Sequence, residues 1–364
     1  MGFCLRKRLL LEVPDTAQLS TPLWVHCASV GEFNTFAPIL QELKKNFSIV
    51  LTYFSPRAKD FLEKRTDMWD VLFPLPIDIP PLVKKFERIL RPKVLIVVER
   101  ELWFSLVKFT KVKKILVNAY AKGSLLERLL AREYSLIVAR EERDREIFTE
   151  EGARNVRVCG NLKLVQDFDP FKPPFIPREG ALVMVAGSTH RGEEEEILKA
   201  YMELRKHIKL KLVIAPRHIA RADELEGYLQ NMGIRCVRRS ESVAFDEVLL
   251  LDTLGELRGF YSVADIAFVG GTLVPVGGHN LMEPALLGKP VLFGPYTHKV
   301  EDMAKILLER EQGFLVSNWK DIVTSVREIL DKGFKACEDL RRMSESIREC
   351  YLREILAEID FTGA

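Results

Sequence analysis

The sequence predicts an α/β protein made of two tandem domains, each a Rossmann-like, doubly wound parallel sheet. With 364 residues, the chain exceeds the size at which one hydrophobic core usually stops growing. Short apolar runs bounded by turn residues alternate with longer amphipathic segments, which is typical of a parallel sheet covered by helices on both faces. A Pro-rich stretch at 167–177 separates two such series, and we interpret it as an extended linker.

The first domain is predicted to span residues 1–165. Its strands are apolar runs that end at turn residues, and helical patterns fill the segments between them. The predicted strands are 23–28, 49–54, 71–75, 94–98, 115–118, 136–139 and 156–159, with helices that include 36–45, 81–90 and 141–150.

The second domain is predicted to span residues 175–335 and repeats this alternation. Its predicted strands are 182–186, 210–215, 234–238, 248–252, 266–269, 290–293 and 314–316, with helices at 193–207, 219–232, 280–287 and 299–311. A charged helical segment at about 340–364 is expected to pack back on the first domain. Because ligands of such sheets bind at the carboxyl ends of the strands, we expect a cleft between the two domains to hold the site.

Charge is distributed unevenly between the two halves. The net charge is +2, yet the first 165 residues carry 28 Lys+Arg against 20 Asp+Glu, and the remainder carries 26 against 32. Much of the excess lies in 84–114, where ten cations face three carboxylates. Such a segment suits phosphate groups, an anionic bilayer or nucleic acid, or it is simply a solvated face. We expect no nucleic-acid partner for this segment.

The cysteines and the N-terminal segment provide expectations about the cellular compartment of the protein and its membrane association. The six cysteines show neither CxxC nor metal-ligand spacing, which predicts reduced thiols in a cytosolic protein. The basic, apolar segment 4–11 is too short to span a bilayer and lacks the long apolar centre of a signal peptide. We therefore expect any membrane association to be peripheral.

Two carboxylate motifs follow predicted strands of the first domain. Glu32 comes after Ser29-Val30-Gly31, at a strand-to-helix turn, where it is either a general base or an acidic cap of the next helix. Glu99 and Glu101 follow the strand 94–98, and a turning backbone directs at most one of them to the site. Glu99 is the better candidate, although an ion pair with Arg100 or another nearby cation is an equal alternative.

The second domain offers candidates for phosphate and ribose binding. Segment 186–193 (AGSTHRGE) places small residues and backbone N–H groups between a strand and a helix, and Pro216-Arg217 supplies a guanidinium. Plain turns are the alternative for both. Asn280 and Glu283 share a face at a helix start, where a carboxylate can accept a ribose hydroxyl pair or complete a capping box.

Metal chemistry has little support in the sequence. Asp167-Phe168-Asp169 has DxD spacing but lies in the Pro-rich stretch, and the histidines lack paired-ligand spacing. We expect metal-independent chemistry with no cofactor.

The ordered set of motifs resembles the 3-deoxy-D-manno-octulosonic acid (Kdo) transferases of lipopolysaccharide assembly, which are inverting GT-B glycosyltransferases that use CMP-Kdo. The resemblance runs from Trp24 to Pro295. The motifs that carry it are Ala28-Ser29-Val30-Gly31-Glu32, 99–103 (ERELW), 160–163 (GNLK), 186–190 (AGSTH) with Glu193, 216–218 (PRH), 252–257 (DTLGEL) and 270–284 (GGTLVPVGGHNLMEP). Departures at Arg100, at Phe104-Ser105 and in 118–122 affect the acceptor side more than the donor side.

The resemblance implies roles for individual residues. Glu32 is implied to be the general base and Glu99 a second catalytic carboxylate. The implied CMP-binding residues are Ser188, Thr189, Pro216, Arg217, Gly255, Glu256, Leu257, Asn280 and Glu283. The candidate acceptor-binding residues are Gly31, Arg57, Lys84, Lys85 and Arg88.

These roles imply Kdo transfer from CMP-Kdo to a lipid A precursor (lipid IVA) at the cytoplasmic face of the inner membrane, where the basic first domain meets an anionic surface. The alternatives are another GT-B nucleotide-sugar transferase, a nucleotide-sugar epimerase, or a basic peripheral membrane-binding protein without catalysis.

Overall fold

The computed structural model describes residues 4–166, 174, 176, 178, 180–242 and 244–360. The chain divides into two compact units, one made of 1–167 with 343–364 and the other of 168–342. The Pro-rich stretch predicted as a linker, with its DxD sequence, lies largely outside the described residues.

The first unit contains a seven-stranded parallel sheet in the order β3-β2-β1-β4-β5-β6-β7. Its strands are β1 (Leu23–His26), β2 (Ile49–Tyr53), β3 (Val71–Pro74), β4 (Val94–Val98), β5 (Lys114–Ala119), β6 (Leu136–Ala139) and β7 (Val156–Val158). Its helices are α1 (Leu5–Arg8), α2 (Val30–Lys44), α3 (Pro56–Leu62), α4 (Pro80–Leu90), α5 (Phe104–Phe109), α6 (Leu125–Leu130) and α7 (Glu142–Glu150), with short 3-10 turns at Thr66–Met68, Ala131–Glu133 and Leu162–Leu164.

The second unit contains another seven-stranded parallel sheet, in the order β10-β11-β9-β8-β12-β13-β14. Its strands are β8 (Leu182–Thr189), β9 (Leu210–Pro216), β10 (Cys236–Arg238), β11 (Val248–Leu250), β12 (Ile266–Val269), β13 (Val291–Phe293) and β14 (Gly313–Leu315). Its helices are α8 (Glu193–Leu204), α9 (Ala222–Asn231), α10 (Leu257–Val263), α11 (Met282–Ala285), α12 (Glu301–Glu309) and α13 (Trp319–Lys332), with a 3-10 turn at Ile219–Arg221.

The central strands form the cores because both of their faces are covered. β4 and β12 are buried at every position, and apolar helix faces pack against the two sheets. The predicted fold class, two doubly wound parallel sheets, is confirmed.

The last helix, α14 (Glu338–Asp360), contributes its residues from Met343 onward to the first unit. The Tyr351 hydroxyl donates a hydrogen bond to the carbonyl of Gly160 (2.9 Å), and Arg348 forms an ion pair with Glu42 (2.6 Å). Tyr351 and Ile355 are fully buried.

A disulfide joins Cys159 to Cys350, so the prediction that all cysteines are reduced was wrong. The two cysteines are 191 residues apart, and their Cα atoms lie within 5.6 Å. The packing of α14 on the end of β7 brings them together, and a rule based on local spacing does not detect such a pair.

Two predicted helices differ from the observed ones. α2 begins at Val30, six residues before the predicted start at 36, because the Ser29 side chain caps it. The helix predicted over 280–287 is shorter in the structure and consists of α11 alone. Before α11, the Asn280 side chain accepts the N–H of Met282 in a turn. After it, the backbone N–H groups of Leu287 and Gly288 donate to carbonyl groups three residues earlier.

Candidate active site

Strand order reverses between β1 and β4 in the first sheet and between β8 and β12 in the second. In open α/β sheets, ligands bind outside the carboxyl ends of the strands at such a switch point. The segment with Glu32 follows β1, and Glu99 and Glu101 follow β4. In the second unit, 190–193 follows β8 and Gly270–Gly271 follows β12.

The cap of α2 holds the Glu32 side chain in place. The Ser29 hydroxyl donates to one carboxyl oxygen of Glu32 (2.8 Å) and accepts the backbone N–H of Glu32 (3.3 Å). The other carboxyl oxygen accepts the backbone N–H of Ala28 (2.7 Å). Ser29 therefore caps α2, and the Glu32 carboxyl group has a fixed position at the carboxyl edge of the sheet.

Burial gives the Glu32 carboxyl group an unusual acidity. The residue is only 9% exposed, and burial together with the negative charge of Glu101 raises its pKa to about 7. The hydrogen bonds from Ser29 and Ala28 oppose this rise. A carboxylate whose pKa lies near neutral pH is suited to general-base catalysis.

Glu101 is close enough to Glu32 for the two carboxyl groups to affect each other's ionisation. Burial also raises the pKa of Glu101. Two carboxyl groups coupled in this way cannot both ionise readily, so they titrate as a pair. The sequence interpretation preferred Glu99 over Glu101 and did not find this pair.

Glu99 has a different environment at the same edge. One of its carboxyl oxygens lies 3.0 Å from the Arg140 guanidinium and 3.5 Å from the Lys163 ammonium group. Arg100 instead pairs with the buried Glu127. Glu99 thus holds two cations near the carboxyl pair, and its catalytic role remains a prediction.

The candidate acceptor-binding residues do not all lie at this edge. Gly31 is in the first turn of α2, and the exposed Arg57 is in the first turn of α3. On α4, the Lys84 ammonium group lies 5.3 Å from the ring centroid of Phe109, at the far end of α5. Lys85 donates to the carbonyl of Leu10 (3.1 Å), and Arg88 is exposed.

The basic segment 84–114 is not one continuous patch, contrary to the sequence interpretation. Lys108 pairs with Glu133 (2.5 Å) and Lys113 with Glu358 (3.5 Å). Lys114 is buried and donates to backbone carbonyls. Residues 111–114 precede or begin β5 and therefore lie at the amino edge of the sheet, opposite Glu32.

The carboxyl edge of the first sheet instead exposes apolar side chains in the segments that follow β2 to β5. Leu125 is 74% exposed and Leu129 51%. Phe54, Ile79 and Phe104 are also exposed, and the exposed cations Arg57, Lys122 and Arg128 belong to the same segments.

In the second unit, the Glu193 side chain occupies part of the predicted anion site. The buried Glu193 carboxylate accepts backbone N–H groups of His190 (2.9 Å), Gly271 (2.8 Å), Thr272 (2.9 Å) and Leu273 (2.8 Å). These four amides are therefore not available to a phosphate, and His190 is the one among them that lies in the predicted segment 186–193. Among the predicted phosphate ligands, Thr189 is fully buried.

Three histidines and two exposed cations lie around the switch point of the second sheet. The Nε2 atoms of His190 and His279 are 2.8 Å apart, and the His218 ring is 6.0 Å from that of His190. Arg217 and Lys299 are exposed and within electrostatic range of His279.

The other predicted donor-site residues have varied settings. Pro216 ends β9 and leads into Arg217. Gly255, with φ +84°, precedes Glu256, which pairs with Arg239 (2.7 Å), and Leu257 begins α10. Burial raises the pKa of Glu283, and Arg258 opposes this rise. Asn280 forms the turn described above.

Two glycines of this region lie so close to atoms of neighbouring segments that a side chain would not fit. A Cβ at Gly270 would lie 2.3 Å from the carbonyl oxygen of Ser188, and one at Gly277, whose φ is +105°, would lie 2.4 Å from His298. These glycines allow close packing of the loops themselves.

The residues that the structure describes contain no group of three or more His, Cys, Asp or Glu placed to hold a metal ion. They also contain no helix with the length and apolar character needed to cross a membrane.

Comparison with known proteins places these features in a family. The family model described as 3-Deoxy-D-manno-octulosonic-acid transferase (kdotransferase) matches residues 4–166. A 3-deoxy-D-manno-octulosonic acid transferase of Aquifex aeolicus is 48% identical over 334 residues, which are 92% of each chain. The chain belongs to the Kdo transferase family. A bifunctional glycosyltransferase/methyltransferase of Fusobacterium nucleatum is 31% identical over 84% of this Kdo transferase and 52% of its own length.

A solved structure supports the GT-B fold. The UDP-GlcNAc 2-epimerase of Neisseria meningitidis, bound to UDP-GlcNAc, superposes with a TM-score of 0.61 over 94% of this chain and all of its own. Its 14% identity establishes the fold alone. The expectation of a Kdo transferase, and therefore of a glycosyltransferase, is confirmed by the family match.

Proposed function

We propose that this Kdo transferase moves Kdo from CMP-Kdo to a lipid A precursor, lipid IVA, with inversion at the anomeric carbon and with Glu32 as the general base. The observation that carries the proposal is the coupled pair of carboxyl groups, Glu32 and Glu101, at the first switch point. The pKa of Glu32 near 7 suits a base that works at neutral pH.

The proposed step is a single displacement. The Glu32 carboxylate accepts the proton of the acceptor hydroxyl, and the hydroxyl oxygen forms a bond to the anomeric carbon. The bond from that carbon to the phosphate oxygen breaks, and CMP leaves with the electron pair. Hydrogen bonds from Ser29 and Ala28 orient the Glu32 carboxylate during this step.

The second unit supplies the groups proposed to hold CMP. Arg217 and Lys299 are exposed cations that can stabilise the charge developing on the leaving phosphate. The proposed reaction therefore needs no metal. The partly buried Glu283 is the proposed ribose ligand.

We place the protein at the cytoplasmic face of the inner membrane, as a peripheral protein. The exposed apolar side chains Leu125, Leu129, Phe104, Ile79 and Phe54 support this placement because they share the carboxyl edge with Glu32 and have cations beside them. Apolar side chains among cations are typical of surfaces that bind anionic bilayers.

The test is a transfer assay with CMP-Kdo and lipid IVA, followed by mass spectrometry of the lipid. We expect Kdo-sized mass increments, whose number counts the transfers, and no increments when UDP-sugars replace CMP-Kdo. Absence of any increment would overturn the proposed reaction. Full turnover by Glu32→Gln would overturn only the assignment of the base, and NMR of the product linkage tests inversion.

A further inference from the structure

We propose that His190 and His279 form a proton-sharing pair that binds the anionic part of the donor and takes up one proton when the donor binds. This inference rests on the proposed function, since it concerns the CMP-sugar site of that reaction. The sequence interpretation assigned no role to either ring.

The geometry of the two rings defines what they can offer. Their planes differ by only 2°, and the Nε2 atoms are at hydrogen-bonding distance, 2.8 Å. In the neutral pair one Nε2–H donates to the other Nε2, so one outer Nδ1 carries a proton and the other is an acceptor. Adding one proton to that acceptor turns both outer Nδ1 positions into donors. The protonated pair is a cation with two outward N–H groups, suited to an anion.

Groups from every neighbouring segment act on this pair. Glu193 of α8 favours its protonated form, whereas Arg217 and His218 after β9, Arg221 of the 3-10 turn, and Lys299 after β13 oppose protonation. His298 lies beside Gly277 in the same loop region.

The resulting balance favours the neutral pair in the free protein. Burial, followed by His190 and the neighbouring cations, lowers the pKa of His279 to about 4, and burial lowers the pKa of His190. An anion beside the rings offsets the neighbouring positive charge and raises both pKa values. Donor binding and proton uptake are therefore linked.

The position of the pair identifies the class of ligand. His190 directly follows β8, and His279 packs against Gly271 just after β12, so the pair lies at the topological switch point of the second sheet. The N–H groups of His190, Gly271 and Thr272 at this switch point are bonded to Glu193, so the two rings offer anion contacts that these amides do not. A CMP-sugar acid offers two anions, a phosphate and a carboxylate.

The first experiment uses the whole protein with ¹⁵N-labelled histidine and CMP as the probe at pH 6. We expect the ring signals of His190 and His279 to move from neutral to protonated values as CMP binds, and the signal of the exposed His207 to stay unchanged. A response to CMP identifies the phosphate as the anion, and a response to CMP-Kdo alone identifies the carboxylate. If CMP-Kdo binds while both rings stay neutral, the inference is overturned and the proposed function stands.

The second experiment measures CMP binding by calorimetry for His190→Gln, His279→Gln and the control His207→Gln. We expect both pair variants to bind about tenfold or more weakly at pH 6 and to lose most of the pH dependence of binding, with the control unchanged. Wild-type pH dependence in both pair variants would contradict the inference. Failure of the wild-type protein to bind either nucleotide would overturn the proposed function as well.

Discussion

The carboxyl groups of Glu32 and Glu101 affect each other's ionisation at the carboxyl edge of the first sheet. The pair follows β1 and β4, the two strands between which the strand order reverses. One carboxyl group therefore sets the ionisation of the other, and the measurable pKa values belong to the pair.

Replacing Glu101 tests this coupling. In Glu101→Gln the negative charge that raises the pKa of Glu32 is absent, while a side chain able to hydrogen-bond remains. Transfer by the wild-type protein should rise with pH through about 7, and the rise in the variant should move to lower pH. The measurement is kcat/KM against pH, with Glu142→Gln on the exposed face of α7 as the control. If the acidic limb of the kcat/KM profile stays at the same pH in the variant, Glu101 does not set the pKa of Glu32.

Replacing Glu32 should change stability in a pH-dependent way. Its folded-state pKa of about 7 exceeds the ordinary value of 4.5, so its contribution to stability is complete below pH 4.5 and is lost as pH rises through 7. From pH 4 to 8.5, Glu32→Gln should gain on the order of 3 kcal/mol relative to wild type. Urea unfolding followed by tryptophan fluorescence measures this gain. A constant difference between the two proteins would contradict the buried, high-pKa state.

Replacing Glu193 should destabilise the second unit. Its carboxylate accepts four backbone N–H groups from two loops, and the amide of Glu193→Gln would turn an N–H₂ group toward some of them. We expect a loss of about 3 kcal/mol or more in thermal unfolding. Glu195→Gln, on the exposed side of the same helical turn, is the matched control and should differ little. Equal stability of both variants would refute the structural role of Glu193.

Charged residues on α6 should weaken membrane binding. Leu125→Asp with Leu129→Asp places two carboxylates on the exposed apolar edge, and we expect cosedimentation with anionic vesicles to fall about tenfold or more. The variant Leu308→Asp with Leu330→Asp makes the same charge change on exposed positions of α12 and α13. A similar loss in both double variants would assign the effect to net charge and not to this edge.

Removing the disulfide should destabilise the first unit. Cys350→Ser opens a loop of 191 residues, and we expect a loss of about 2–4 kcal/mol. Reducing agent should lower the melting temperature of the wild-type protein in the same way and leave the variant unchanged. Cys337→Ser, which removes a free cysteine, is the control. Insensitivity of the wild-type protein to reductant would argue against the bond.

The sheets could be predicted from sequence because central parallel strands are buried on both faces and appear as apolar runs, as at 94–98 and 266–269. Helix ends were less predictable. α2 begins at Val30 because of one side-chain cap at Ser29, and that contact leaves only a weak signal among Ser, Gly and Glu.

The residue types and the regions of the candidate site could be predicted from the sequence, but the contacts between its side chains could not. Glu99 has a φ of +60°, and Glu101, two residues further on, affects the pKa of Glu32 more than Glu99 does. The His190–His279 contact joins loops 89 residues apart, as the disulfide joins more distant cysteines. Sequence spacing describes neighbours along one element, and these contacts are made between elements.

The first unit is built from two separate segments of the chain, and this also governs the order in which it can form. Ile347, Tyr351 and Ile355 are buried, and the Gly160 carbonyl accepts its bond from Tyr351, yet the ribosome makes these residues after the entire second unit. During translation the growing chain therefore carries an unfinished first unit whose apolar surface stays open to water or chaperones. That surface closes only once α14 has been released from the exit tunnel.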